Sequence, residues 1–292
     1  MADFPCLYRY YLLVQGKKKV LTMKKRFKEY NELDFTDDFM FCMILENNPD
    51  LCKELLELLL DIKIKKVELA DSQKRIDLTY DGKGVRLDVY VNDSENTIYD
   101  IEMQTTKQKE LPKRTRYYQG MVDLNLIQKG MDYAELKKTY VIFICLKDVF
   151  GKNLPIYTFN NICEQDNSLR LGDEATKVIV NAEGSREGLS ENMCKFLDYL
   201  IEKKATDGFT QKLQDAVDSA IAKKEWEVLY MTFAMKIREE RKDAKIENTI
   251  EIAKELNADH NMIIMLLQKK LKLTLEEAEE ALNDYETEEQ NK

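Results

Sequence analysis

The sequence predicts an α/β domain followed by an all-helical C-terminal region, and three observations carry that expectation. Residues 85–91 alternate apolar and polar side chains with a period of two, and residues 97–104 do so again after a turn-rich stretch, which is the signature of a β-hairpin. Residues 139–146 form an unbroken apolar run, short enough to be a buried central strand. From Ser190 to the end, apolar residues recur at helical spacing.

In chain order, the first marked feature is Phe35-Thr36-Asp37-Asp38-Phe39-Met40-Phe41, where Thr36 is placed to cap a helix. The apolar pattern resumes after Pro49 over residues 51–60, so two short helices are expected. Residues 67–69 and 76–80 have strand composition, and Asp81-Gly82-Lys83-Gly84 reads as a turn into the hairpin. Pro112 starts a helix bearing Lys113, Arg114, Arg116, Tyr117 and Tyr118, with Gly130 as its expected C-terminal glycine. Residues 157–163 and 177–180 are weaker strand candidates. Beyond them, residues 193–201 precede a long charged helix through Trp226 and Met235. The last unit pairs residues 262–271 with a helix opened by a Thr274–Glu277 capping box. The expected division is an N-terminal extension over 1–30, the α/β domain over 31–205 and the helical region over 206–292.

Composition removes several classes of function. At 292 residues, 44% hydrophobic and 34% charged, the chain can bury a full core, and four prolines and ten glycines leave room for long helices. No apolar run has the length of a membrane span. Residues 7–14 are short, tyrosine-rich and interrupted by Arg9, and read as neither signal nor anchor. Met23, followed by Lys24, Lys25 and Arg26, reads as an alternative start that would leave the first 22 residues outside the native product. The six cysteines are scattered, with no CxxC pair, and His260 is the one histidine, so zinc spacing and Ser/His or Cys/His chemistry are absent. Such cysteines fit a reducing compartment, and a cytoplasmic location is expected. If the chain is an enzyme, carboxylates must do the work.

Net charge is −9, which looks wrong for a nucleic-acid binder until it is located. From Leu273 onward there are eight acidic residues and one lysine, so the chain before it is nearly neutral. Local basic patches are then free to act.

The hairpin concentrates the candidate chemistry. Arg86, Asp88 and Tyr90 share one face of the first strand, and Asp100, Glu102 and Gln104 share one face of the second. With the turn centred near Ser94, Asp88 is expected opposite Asp100 and diagonal to Glu102, a Cα separation of roughly 7–8 Å. Two carboxylates at that spacing can lean toward one divalent ion, and Mg²⁺ is commonly held by one or two carboxylates plus retained waters. Such an ion would neutralise phosphoryl oxygens and generate a nucleophile from water at neutral pH. Gln104 would position the water or a phosphate oxygen, because its amide donates and accepts but is no base. The competing reading is that these residues form the solvated face of a half-buried hairpin, the default for polar-out alternation.

Resemblance weighs against that default. Val85-Arg86-Leu87-Asp88-Val89-Tyr90, Tyr99-Asp100-Ile101-Glu102-Met103-Gln104 and Arg114-Thr115-Arg116-Tyr117-Tyr118-Gln119 resemble, in order, motifs of the PD-(D/E)XK nuclease-like transposases of the recombination-promoting nuclease (Rpn) family. The likeness covers most of residues 34–200, including Thr36-Asp37-Asp38-Phe39 and the segment from Gly130 to Ile142. It implies a PD-(D/E)XK restriction-endonuclease-like α/β core on a central mixed sheet, Mg²⁺- or Mn²⁺-dependent DNA cleavage, and an association with recombination and mobile elements. By position, Asp88 and Glu102 match the family's two strand acids, and Asp38 would be the acid of the opening helix. Asp38 is equally well read as an N-terminal acid favoured by the helix dipole. Gln104 stands where the wider superfamily usually has lysine.

Lys113, Arg114, Arg116 and Tyr117 follow the second hairpin strand directly, where they could meet DNA phosphates beside the metal. A solvated basic face over a tyrosine-anchored core fits Arg114 and Arg116 equally well, and Tyr118 is assigned to the core. The closing helix is acidic and would repel phosphate, so packing or homo-oligomer formation is expected of the C-terminal helices rather than DNA reading. Met231, Phe233 and Met235 read as core, and His260 as a surface loop residue. The rival to an endonuclease is a catalytically inactive DNA-binding or assembly module of the same fold.

Overall fold

The computed structural model describes residues 28–69, 88–127 and 130–290. Cys6, residues 7–14, Met23, the strand expected over 76–80, the turn at 81–84 and the first hairpin residues, including Arg86, lie outside them. Contacts divide the described chain into two units, residues 28–230 and 231–290, with the division inside one helix and beyond the boundary expected at 205.

The first unit is built on a six-stranded sheet in the order β1-β2-β3-β4-β6-β5, with β1 at Val67–Leu69, β2 at Val89–Asp93, β3 at Ile98–Gln104, β4 at Thr139–Cys145, β5 at Ile156–Phe159 and β6 at Ala175–Asn181. β1, β2 and β3 pair antiparallel, β3, β4 and β6 pair parallel, and β5 returns antiparallel on the edge. The expected mixed sheet is present, with the apolar run of β4 at its centre. A parallel pair requires a crossover, and α3, Leu111–Leu126, makes it between β3 and β4.

Because successive strand residues face opposite ways, β3 and β4 divide their side chains between two layers. Ile101, Met103, Ile142 and Ile144 are buried on one face. On the other, Tyr90, Ile98, Val141, Phe143, Cys145 and Ile179 form a core with Leu111, Tyr118, Met121 and Val122 of α3. Burying a Leu, Ile or Phe side chain contributes about 1.5–3 kcal/mol, so both layers hold the sheet.

α1, Asp38–Asn47, packs on β2, and α2, Pro49–Leu60, on β1. The N-cap of α1 is Asp37, one residue beyond the expected Thr36. Thr36 serves Asp34 instead: its N–H and its hydroxyl donate to Asp34 Oδ1 at 2.8 and 2.6 Å. Lys203, at the C-cap of α4 (Glu191–Glu202), and Lys28 pair with the same carboxylate, each at 2.9 Å. Burial opposes ionisation of Asp34, but the bonds from Thr36, Lys203 and Lys28 outweigh it and hold its carboxyl far below the usual range. A carboxylate with a depressed native pKa stabilises the fold above its unfolded pKa of about 3.9, and that contribution is lost as pH falls below it. Asp34→Asn should therefore lower stability at pH 7 by about 2 kcal/mol. In urea unfolding the gap from wild type should close as pH falls from about 4 toward the depressed native value. A gap independent of pH would refute the ion-pair account.

α3 ends at Leu126 with Ile127 as its C-cap, short of the expected Gly130. Residues 190–202 behave as expected, with the Ser190 hydroxyl accepting from Met193 N–H. The long charged helix is two helices, α5, Gly208–Ile221, and α6, Lys224–Glu255. In the second unit α7, His260–Leu271, and α8, Leu275–Gln290, pack Ile263, Ile264, Leu267, Ala278 and Leu282 against Ile250 and Ala253 of α6. The Thr274–Glu277 capping box is present, at 2.8 and 3.2 Å. His260 opens α7 rather than lying in a loop, because Asp259 caps that helix. Of the expected Met231, Phe233 and Met235 core, only Phe233 is buried, the two methionines being 52% and 56% exposed on the opposite side of the helical turn. No helix among the described residues is long and apolar enough to cross a membrane.

Candidate active site

β2 and β3 pair in a register two residues tighter than the sequence suggests. Tyr90 lies opposite Asp100 and Val89 opposite Ile101, so the same register extended by one residue sets Asp88 opposite Glu102 rather than opposite Asp100. The reason is the turn. Asp93 Oδ1 accepts from Glu95 N–H at 2.8 Å and from Thr97 N–H at 2.9 Å, which extends β2 through Asp93 and centres the reversal one residue later than Ser94.

This register brings the two candidate acids into direct connection. Asp88 N–H donates to Glu102 Oε1 at 2.7 Å, and Met103 N–H donates to Asp88 Oδ2 at 3.2 Å. Asp88 stands in a bend just ahead of β2 and is half-buried, whereas Glu102 is 1% exposed and Asp100 fully covered. The polar face of the hairpin is therefore not solvated. Helix α3 lies over it, on the same side as Tyr90, Val141 and Phe143.

A buried carboxylate must be paired, and α3 provides the partner. Arg114 Nη2 donates to Glu102 Oε2 at 3.0 Å, and Nη1 donates to Gln104 Oε1 at 2.9 Å. The guanidinium also reaches the Tyr118 hydroxyl, at 2.7 and 3.0 Å, and lies 5.0 and 5.1 Å from the ring centroids of Tyr118 and Phe143. Gln104 is fixed from its other end, its amide nitrogen donating to Thr106 O at 2.9 Å and to Thr106 Oγ1 at 3.1 Å. Beside Gln104 a cation thus arrives from the helix.

The electrostatics are lopsided. Burial raises the Glu102 carboxyl well above the ordinary range, the negative charges of Asp88 and Asp100 raise it further, and Arg114 and the Asp88 N–H pull it back. For Arg114, burial works against the charged form, but Glu102 more than restores it. Burial likewise lifts the Tyr118 hydroxyl well above its usual value. Around Glu102, the carboxylates of Asp88 and Asp100 thus act against the guanidinium of Arg114.

The all-oxygen donor set fits a hard divalent cation. Each carboxylate has about four lone-pair sites, so the bonds already made to Asp88 and Glu102 leave room for metal coordination. No group of three or more acidic, histidine or cysteine side chains with metal-binding geometry occurs among the described residues.

The other expected site residues divide. Lys113, Arg116 and Tyr117 are exposed on α3, but Arg114, expected beside them as a phosphate contact, is turned inward because Glu102 and Gln104 lie beneath it. Asp38 begins α1. Two residues placed in the sequence have roles it did not show: Asp100 is a third buried acid, and Tyr118 is a polar partner of Arg114 as well as core. The four-residue spacing of Arg114 and Tyr118, on one face of a helix leaving the acid-bearing strand, was the available signal.

A family model described as PD-(D/E)XK nuclease family transposase matches residues 35–264. No curated protein and no solved structure matches the chain.

Proposed function

This chain belongs to the PD-(D/E)XK nuclease family transposases, and from that premise we propose that it is a metal-dependent DNA endonuclease acting in recombination or on mobile elements. The observation that carries the reading is the meeting of Asp88, just ahead of β2, with Glu102 of β3, joined by the Asp88 N–H to Glu102 Oε1 bond. These two carboxylates would hold Mg²⁺ or Mn²⁺. When bound, the ion supplies charge neutralisation on the phosphoryl group and makes water nucleophilic at neutral pH.

The chain's own residues do the rest. Gln104 is a positioning residue: with its amide nitrogen tied to Thr106, its Oε1 is directed at Arg114 and keeps a lone pair to accept a bond from the attacking water. Lys113, Arg116 and Tyr117 stand on the exposed side of α3 and would contact the DNA backbone, which fixes position without reading sequence. Asp38 fits a helix-dipole role at the first turn of α1 better than a catalytic one. Self-association belongs to the C-terminal helices, where Met262, Met265 and Leu275 offer exposed apolar surface.

Supercoiled plasmid incubated with the full chain should be nicked in Mg²⁺, left intact in EDTA, and nicked again when Mg²⁺ or Mn²⁺ is restored. One observation favours the rival, a catalytically inactive DNA-binding or assembly module: Glu102 already has a salt-bridge partner. DNA retention in a gel-shift assay without nicking in either metal would decide for that module.

A further inference from the structure

We propose that Arg114 and a divalent cation exchange at Glu102, the guanidinium holding the acid pocket together when no metal is bound and releasing the carboxylate when one enters. The proposal rests on the metal-site reading above and adds a role for Arg114 that the reading does not need. It starts from the coincidence of atoms. Arg114 donates to Glu102 Oε2 and to Gln104 Oε1, oxygens that border the same pocket as Asp88. A guanidinium and a divalent ion on one carboxylate repel each other, and in a covered site that repulsion is weakly screened.

Arg114 also has somewhere to go. Its contacts with the Tyr118 hydroxyl, with Gln108 Oε1 at 3.4 Å and with the faces of Tyr118 and Phe143 do not depend on Glu102. Arginine suits such an exchange, because its planar fork hydrogen-bonds along one edge while stacking on aromatic rings. Glu102 is almost fully covered, and the Arg114 guanidinium is its salt-bridge partner.

Thermal melting of the full chain across a Mg²⁺ titration separates this role from a merely structural one. Wild type, Arg114→Met and Arg114→Lys are compared, starting in EDTA. Arg114→Met should melt several degrees below wild type in EDTA, the gap should narrow with Mg²⁺, and its half-saturating Mg²⁺ concentration should fall about fivefold or more, because the ion no longer competes with a guanidinium. Arg114→Lys retains a charge without the fork, and should show a smaller fall in the same direction even if Arg114→Met does not fold. A Mg²⁺ shift present in all three proteins with equal half-saturation, or with half-saturation raised in the variants, overturns the exchange and leaves the metal site standing. No Mg²⁺-dependent shift in any of them, wild type included, overturns both.

Discussion

Asp88→Ala should abolish Mg²⁺-dependent nicking and leave the fold in place. The substitution removes one of two carboxylates proposed to hold the metal, and a bound ion is worth several kcal/mol of transition-state stabilisation. At about 1.4 kcal/mol per power of ten, the rate should fall by about a hundredfold to a thousandfold or more. Stability should change little, because Asp88 is half-buried and lies in a bend ahead of β2, where its side chain accepts a backbone bond from Met103. Its own N–H to Glu102 is a main-chain bond that alanine retains. Nicking rates and circular-dichroism melts on the same preparation check both halves. A variant that melts like wild type and nicks like wild type removes Asp88 from the chemistry.

The largest effect on stability is expected at Arg114. In EDTA, Arg114→Met strands Glu102 under α3 beside two other acids, and breaking a buried pair from one side costs about 3–5 kcal/mol. Replacing both partners by apolar residues of similar size is often neutral or stabilising. The double variant Glu102→Met with Arg114→Met should therefore recover most of the loss in urea unfolding while remaining inactive. If the double variant is as unstable as the sum of the two single changes, the pair is not the source of the cost.

Much of this was legible from local pattern. The period-two hairpin, the apolar run of β4, the helical pattern from Ser190 and the Thr274–Glu277 box all depend on residues close in sequence, and each is found. The site was legible in its membership and not in its geometry. Its register turned on the Asp93 side chain closing the turn, a hydrogen bond that turn composition does not specify. Burial of the acid face was hidden for a different reason. Alternation tells which residues share a face but not whether a helix will cover it, and here cover depends on Arg114 meeting Glu102 across twelve residues. The same cause misplaced Arg114 among the solvent-facing bases.

The parallel arrangement of β3, β4 and β6 also governs how the protein reaches its working form. A hairpin closes through a short local loop, so Asp88 and Glu102 can find each other early, whereas β4 and β6 must wait for long crossovers to close. Until then Thr139–Cys145, seven residues with a single hydroxyl pair at one end and no charge, stays uncovered on the growing chain. Segments of that kind associate readily with their own copies. Slow translation, low temperature or a chaperone that shields this strand should therefore raise the soluble yield more than any change to the helical C-terminal unit.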